Sequence, residues 1–141
     1  MPTLFALLNL AAGAVQPPPA PGCINVRGEG RVVLEGRLAR HVYPGPPNYE
    51  SIRRGDRAEP AYILTLARPI CIDDGGEFAD PARRFDSVHI FDAGEDGRLF
   101  RQMRAAVGHR IRIRGTGFAS FNAHHHAPLV VRVDQLSNLP R

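Results

Sequence analysis

Residues 31–42 (RVVLEGRLARHV) alternate: Val32, Leu34, Leu38 and Val42 fall on one side, and Arg31, Glu35, Arg37 and His41 on the other. A period of two predicts a half-buried strand, and Gly36 inside it predicts a bulge or sharp bend. Residues 61–67 (AYILTLA) are apolar on both faces, which predicts a second, well-buried strand that Pro69 interrupts before Ile70-Cys71-Ile72. Residues 87–91 (SVHIF) predict a short third strand with Val88 and Ile90 on one side. The period then changes. Leu99, Met103 and Ala106, joined by Phe100 and Val107, recur at helical spacing and predict a helix over 97–107. Asp96 is its expected N-cap and Gly108 its stop. Residues 110–115 (RIRIRG) return to strict alternation, and 118–121 continue this strand or bend it around a corner flanked by Gly115 and Gly117. Residues 128–136 (PLVVRVDQL) predict the last strand, with Leu129, Val131 and Val133 on one face.

The connections are punctuated by turn residues. Residues 43–60 form a long irregular stretch in which Pro44-Gly45-Pro46-Pro47 blocks regular pairing. Residues 73–86 form a polar loop where Asp73-Asp74, beside Gly75-Gly76, read as turn residues. The order strand, strand, strand, helix, strand, strand predicts a mainly β fold. The expected form is a small five-stranded OB-like barrel with one helix between strands 3 and 4. A two-sheet sandwich is the structural alternative.

The N-terminus changes the expected compartment. Residues 1–15 (MPTLFALLNLAAGAV) are an apolar run of export-signal length, short of the ~20 residues that span a bilayer. Ala12-Gly13-Ala14 fits small-residue cleavage. The expected organisation is a signal peptide over 1–14, a Pro-rich linker over 15–22 containing QPPPAP, and a folded domain over 23–141. The mature chain is then periplasmic or secreted, with no transmembrane segment. Its two cysteines, Cys23 and Cys71, have one possible intramolecular pairing, and export favours that disulfide over two buried thiols.

Composition mainly excludes. All 18 basic residues are arginines, against 14 acidic ones, for a formal charge of +4. Without lysine there is no Schiff-base or phosphate-loop lysine chemistry. No GxSxG elbow or HExxH helix occurs, so no enzyme is expected.

Three groups remain as candidate chemistry. On an extended backbone His124 and His126 of the triplet His124-His125-His126 face one way and could chelate zinc or copper. A catalytic zinc site wants a third protein ligand, so the competing reading is that these rings bond backbone carbonyls and cap a barrel end. Asn48 and Tyr49, in the 43–60 loop, offer polar contacts and a flat face to a ligand; Tyr49 packed as a lid is the alternative. Arg110, Arg112 and Arg114 could bind phosphate or carboxylate groups, or simply form a solvated strand face.

Several of these residues form an ordered series: Gly45-Pro46-Pro47-Asn48-Tyr49-Glu50-Ser51-Ile52, Gly55-Asp56, Arg68-Pro69-Ile70-Cys71, then Gly108, Gly115, Phe118 and His124-His125-His126-Ala127-Pro128. The series resembles a bacterial family of small exported domains of unknown function. That family has a PNYES-like loop, a PIC-like strand end and a histidine triplet. Its members commonly carry Gly and Thr beside the triplet, where this chain has Ala123 and Ala127. The resemblance spans Cys23 to Leu136 and implies compartment and fold but no activity. The expected function is an exported binding module for an envelope component, a polyanion or a protein, without a cofactor. A periplasmic metal-binding protein using the triplet is one alternative. A cytosolic nucleic-acid-binding OB domain is the other, and export makes a nucleic-acid partner the less expected one.

Overall fold

The structure is a computed structural model that describes residue 13, residue 15 and residues 17–141. The expected signal over 1–14 therefore lies, apart from Gly13, outside the described residues. The strands are β1 (Ile24–Asn25), β2 (Gly30–Pro44), β3 (Ala58–Ile70), β4 (Ile72–Asp73), β5 (Phe85–Asp92), β6 (Arg110–Ala119) and β7 (Leu129–Asn138). One helix, α1 (Arg98–Ala106), lies between β5 and β6. The five long strands pair in the order β2-β3-β5-β7-β6, and β6 pairs back onto β2. The sheet is thus a closed ring rather than two stacked sheets. The helix follows the third strand of the ring, where the change of period placed it. β1 and β4 add a short parallel pair outside the ring.

Inward-facing positions follow the alternation. Val32, Leu34 and Leu38 of β2 and Ile111 and Ile113 of β6 are buried. They pack with Leu64, Val88, Ile90, Leu129, Val131 and Val133 from the other strands. Leu99, Met103 and Ala106 of α1 plug this core, whereas Phe100 and Val107 stay exposed, Phe100 with its edge on Tyr62. Val42 also departs from the expected pattern. β2 has by then left β6, and this part of the strand faces solvent.

Two glycines let the ring close. β2 pairs with β6 over Gly30–Arg37 and with β3 from Gly36 onward, so Gly36 bonds to both neighbours. A Cβ on Gly36 would stand 2.4 Å from the Thr65 carbonyl oxygen, and one on Gly115 2.0 Å from that of Arg132. The β6–β7 register shifts between Arg114 and Gly115, so the bulge expected at Gly36 occurs at Gly115, while Gly36 provides a close backbone approach.

The ends of the elements also differ from expectation. β2 runs through Pro44 and β3 starts at Ala58, so the irregular stretch is shorter than 43–60. β3 also carries through Pro69 to Ile70, with a register irregularity against β5 after Thr65. The N-cap of α1 is Gly97, not Asp96, because Gly97 takes the left-handed turn into the helix. Asp96 still accepts the Arg98 N–H at 3.0 Å, and Asp92 reaches over from β5 to accept that of Phe100 at 3.0 Å.

Cys23 and Cys71 form the expected disulfide, beside the β1–β4 pair. The Pro-rich segment is tied down rather than free. The Ala20 N–H bonds to Asp73 at 2.8 Å, and Arg27 reaches both the Pro17 carbonyl and Asp73. No helix among the described residues is long and apolar enough to cross a membrane.

Candidate functional site

The loop between β2 and β3 is wound around one carboxylate. Asp56 accepts the N–H groups of Asn48 (3.0 Å), Glu50 (2.8 Å) and Ser51 (2.8 Å). The Ser51 and Glu50 bonds lead in holding its carboxyl below the usual range. A backbone clasp closes the loop: Gly45 N–H donates to the Arg57 carbonyl at 2.7 Å and Arg57 N–H to that of Pro46 at 2.9 Å. So held, Tyr49 adopts a φ of 56°, a left-handed conformation that a bulky residue rarely takes.

The loop between β6 and β7 carries the histidine triplet. Asn122 starts its turn by accepting the His124 N–H at 2.9 Å. His124 and His126 both point to Glu59 and His125 points to Phe121, but the backbone at Ala123-His124 is a turn rather than the extended chain expected. His125 accepts the Phe121 N–H at 3.1 Å and meets that ring edge-on at 4.6 Å. Burial, and then the charges of His124 and His126, lower its pKa.

The two loops meet at Glu59, near the start of β3. Oε2 of Glu59 lies 2.9 Å from Nδ1 of His124, and Oε1 lies 2.8 Å from Nε2 of His126. Nε2 of His124 lies 3.2 Å from the Tyr49 hydroxyl. Tyr43 stacks flat on His126, with centroids 4.0 Å apart and planes within 2°. Behind, Nδ1 of His89 accepts the His126 N–H at 3.2 Å.

These contacts fix which ring nitrogens face the carboxylate. Burial pushes the Glu59 carboxyl up, but hydrogen bonds from His126 and His124 outweigh it and hold the group below its ordinary value. An ionised carboxylate only accepts, so neutral His124 carries its proton on Nδ1 and neutral His126 on Nε2. Nε2 of His124 is left as an acceptor for the Tyr49 O–H. His89 accepts through Nδ1, and burial, followed by the charges of His126 and His125, lowers its pKa to about 4. It is neutral at pH 7.

The fold joins Tyr49 to the triplet, whereas Asn48 donates its N–H to Asp56 within the loop. For His124 and His126 as metal ligands, the geometry sets a carboxylate between the rings, each on its own oxygen. Among the described residues no group of three or more His, Cys, Asp or Glu side chains is arranged to hold a metal ion. Arg110, Arg112 and Arg114 lie along β6 on its outward face, before the triplet loop. Arg112 is paired with Glu35, with Nε at 2.7 Å. Asp73 and Asp74 are turn acceptors as expected, Asp74 taking four successive N–H groups from Gly76 to Ala79.

Glu59 itself escaped the sequence reading. It lies in a charged stretch with nothing local to mark it. Only the β2–β3 register, which sets Tyr43 opposite Glu59, carries it to the histidines.

No curated protein matches the chain. A family match covers most of β5, α1, β6, the triplet loop and nearly all of β7, leaving the Tyr49 loop and Glu59 outside it. Over residues 87–137, the part of the fold that supplies His89 and the histidine triplet, the chain is similar to the family described as Domain of unknown function (DUF4431).

Proposed function

We propose that this chain is an exported OB-like binding module whose ligand seat is the junction of the β2–β3 and β6–β7 loops, and whose ligand is a hydroxyl-rich glycan of the cell envelope. One observation carries the reading: Tyr49 on one loop, and Glu59 at the start of the strand that follows it, bond directly to His124 and His126 on the other loop. Counting the five long strands in chain order, these are the loops joining strands 1 and 2 and strands 4 and 5, the pair with which OB folds hold oligonucleotides and oligosaccharides. The strand order and the helix after the third strand support the same fold reading. Export is supported by the disulfide and by the apolar residues 1–15.

The chemistry of the seat favours a glycan over a polyanion. Its fixed charge is the Glu59 carboxylate, which repels phosphate, and the arginine stripe lies elsewhere. Tyr49, Tyr43 and the imidazoles offer flat faces for sugar rings together with hydroxyl and N–H groups for sugar hydroxyls. The test is co-sedimentation of the purified domain with peptidoglycan sacculi, with a single-stranded DNA homopolymer and heparin as competitors. Binding to sacculi that weakens about tenfold in Tyr49→Ala and in His124→Ala, the loss of one good contact, supports the reading. Binding unchanged by both substitutions, or held only by the DNA or heparin, refutes it.

A further inference from the structure

The Tyr49 hydroxyl, the His124 ring and the Glu59 carboxylate form a continuous chain. The hydroxyl lies 3.2 Å from Nε2, and Nδ1 lies 2.9 Å from Oε2. This is the order of groups that activates a hydroxyl nucleophile: a base within hydrogen-bond reach of it, with a third group orienting that base and fixing its tautomer. Glu59 does the orienting. Its lowered pKa keeps it an acceptor, so Nδ1 holds the ring proton and Nε2 faces the phenol with a lone pair.

Two further observations show that the arrangement is imposed on the loop. Tyr49 is held at a φ of 56°, a left-handed conformation that a bulky non-glycine residue rarely adopts. Three N–H bonds to Asp56, on residues 48, 50 and 51, hold the chain on both sides of it. The His124 side chain is 58 % exposed, so an incoming molecule can reach the pair.

We propose that Tyr49 is a nucleophile that accepts an acyl group from an ester, with His124 as its base and Glu59 as a positioning residue. In the step, Oη of Tyr49 bonds to the ester carbonyl carbon while its proton passes to Nε2 of His124. The carbon–alkoxide bond breaks and the alcohol leaves with that proton, giving O-acyl-tyrosine. Water then attacks the acyl group, again passing a proton to His124, and releases a carboxylic acid and free Tyr49. The inference shares a site with the proposed glycan seat but does not need a glycan to occupy it.

The test uses p-nitrophenyl acetate as the acyl donor. Mass spectrometry locates the adduct, with Tyr43 and Tyr62 of the same chain as internal controls. Acetylation concentrates on Tyr49, is absent there in Tyr49→Phe, and falls about 100-fold in His124→Ala, the scale of general-base assistance. Glu59→Gln also slows it and changes the ring-nitrogen NMR signature of His124, which a merely structural role would leave alone. Circular dichroism of each variant establishes that it is folded. Equal labelling of the three tyrosines, or Tyr49 labelling unchanged without His124, overturns the proposal. Because sacculus binding is not part of this readout, failure here leaves the glycan reading standing, and the reverse also holds.

Discussion

Glu59→Gln tests the centre of the site with the least change of shape. The wild-type carboxylate accepts an N–H from each of two imidazoles, at 2.9 and 2.8 Å. A hydrogen bond to a charged group contributes about 1.5–3 kcal/mol and one between neutral groups about 0.5–1.5, so each bond loses about 1 kcal/mol with the charge. The amide also has a single acceptor oxygen. Its NH2 must face the second ring, which has to move its proton to the other nitrogen. The His126 side chain is 9 % exposed and that of His124 58 %, so the amide oxygen should stay with His126 and His124 should switch. Nε2 of His124 then donates to Tyr49 instead of accepting from it. The bond on the His124 side is partly screened by water, which brings the expected loss to about 1–2 kcal/mol. Glu59→Ala should cost more, about 3–4 kcal/mol, because a buried His126 N–H is left without a partner. Urea unfolding at pH 7 measures the loss as a lower midpoint at unchanged slope, and long-range nitrogen–proton NMR reads the tautomers. If Glu59→Gln unfolds within about 0.5 kcal/mol of wild type, the scale of an ordinary surface change, and both ring signatures stay put, the bridging role is wrong.

His89 gives an acid sensitivity. Its folded pKa of about 4 lies below its ordinary 6.5, so the unfolded chain takes up the proton first. The neutral ring's contribution is complete above pH 6.5 and is lost as pH falls toward 4, by about 1–2 kcal/mol after allowing for its partial exposure. Unfolding midpoints between pH 7 and 4 should converge for wild type and His89→Asn, and parallel curves would count against this assignment. Cys23→Ser/Cys71→Ser opens a loop closed across 48 residues. On the chain-entropy account it should lose about 4 kcal/mol, read by thermal unfolding; a shift of less than about 1 kcal/mol would show that the β1–β4 pair holds this edge alone. Gly115→Ala puts a methyl 2.0 Å from the Arg132 carbonyl oxygen and should destabilise by at least about 1–3 kcal/mol in a denaturant titration. A neutral effect would mean that the bulge relaxes freely.

The sequence carried most of the fold because β2 and β6 bury one face along most of their length, and a half-buried strand must alternate; β7 departs from this at Val130, which is buried on the other face. The change to helical spacing at Leu99, Met103 and Ala106 placed α1 between the third and fourth long strands in chain order for the same reason. Val42 and Phe100 broke the pattern because burial depends on what covers a residue, which periodicity does not record. His124 and His126 do share a side, but a turn at Ala123-His124 sets them there rather than the extended backbone expected. Tyr49 and the triplet each carry a legible chemical signal, but nothing local joins them across 75 residues. That took the β2–β3 register, which sets Glu59 opposite Tyr43, and the closure of the ring, which brings the β6–β7 loop beside the β2–β3 loop. Local pattern fixes which face of a strand is buried. Which loops end up adjacent is set by long-range pairing, so the elements were determined by the sequence alone and the Glu59 bridge only by the tertiary structure.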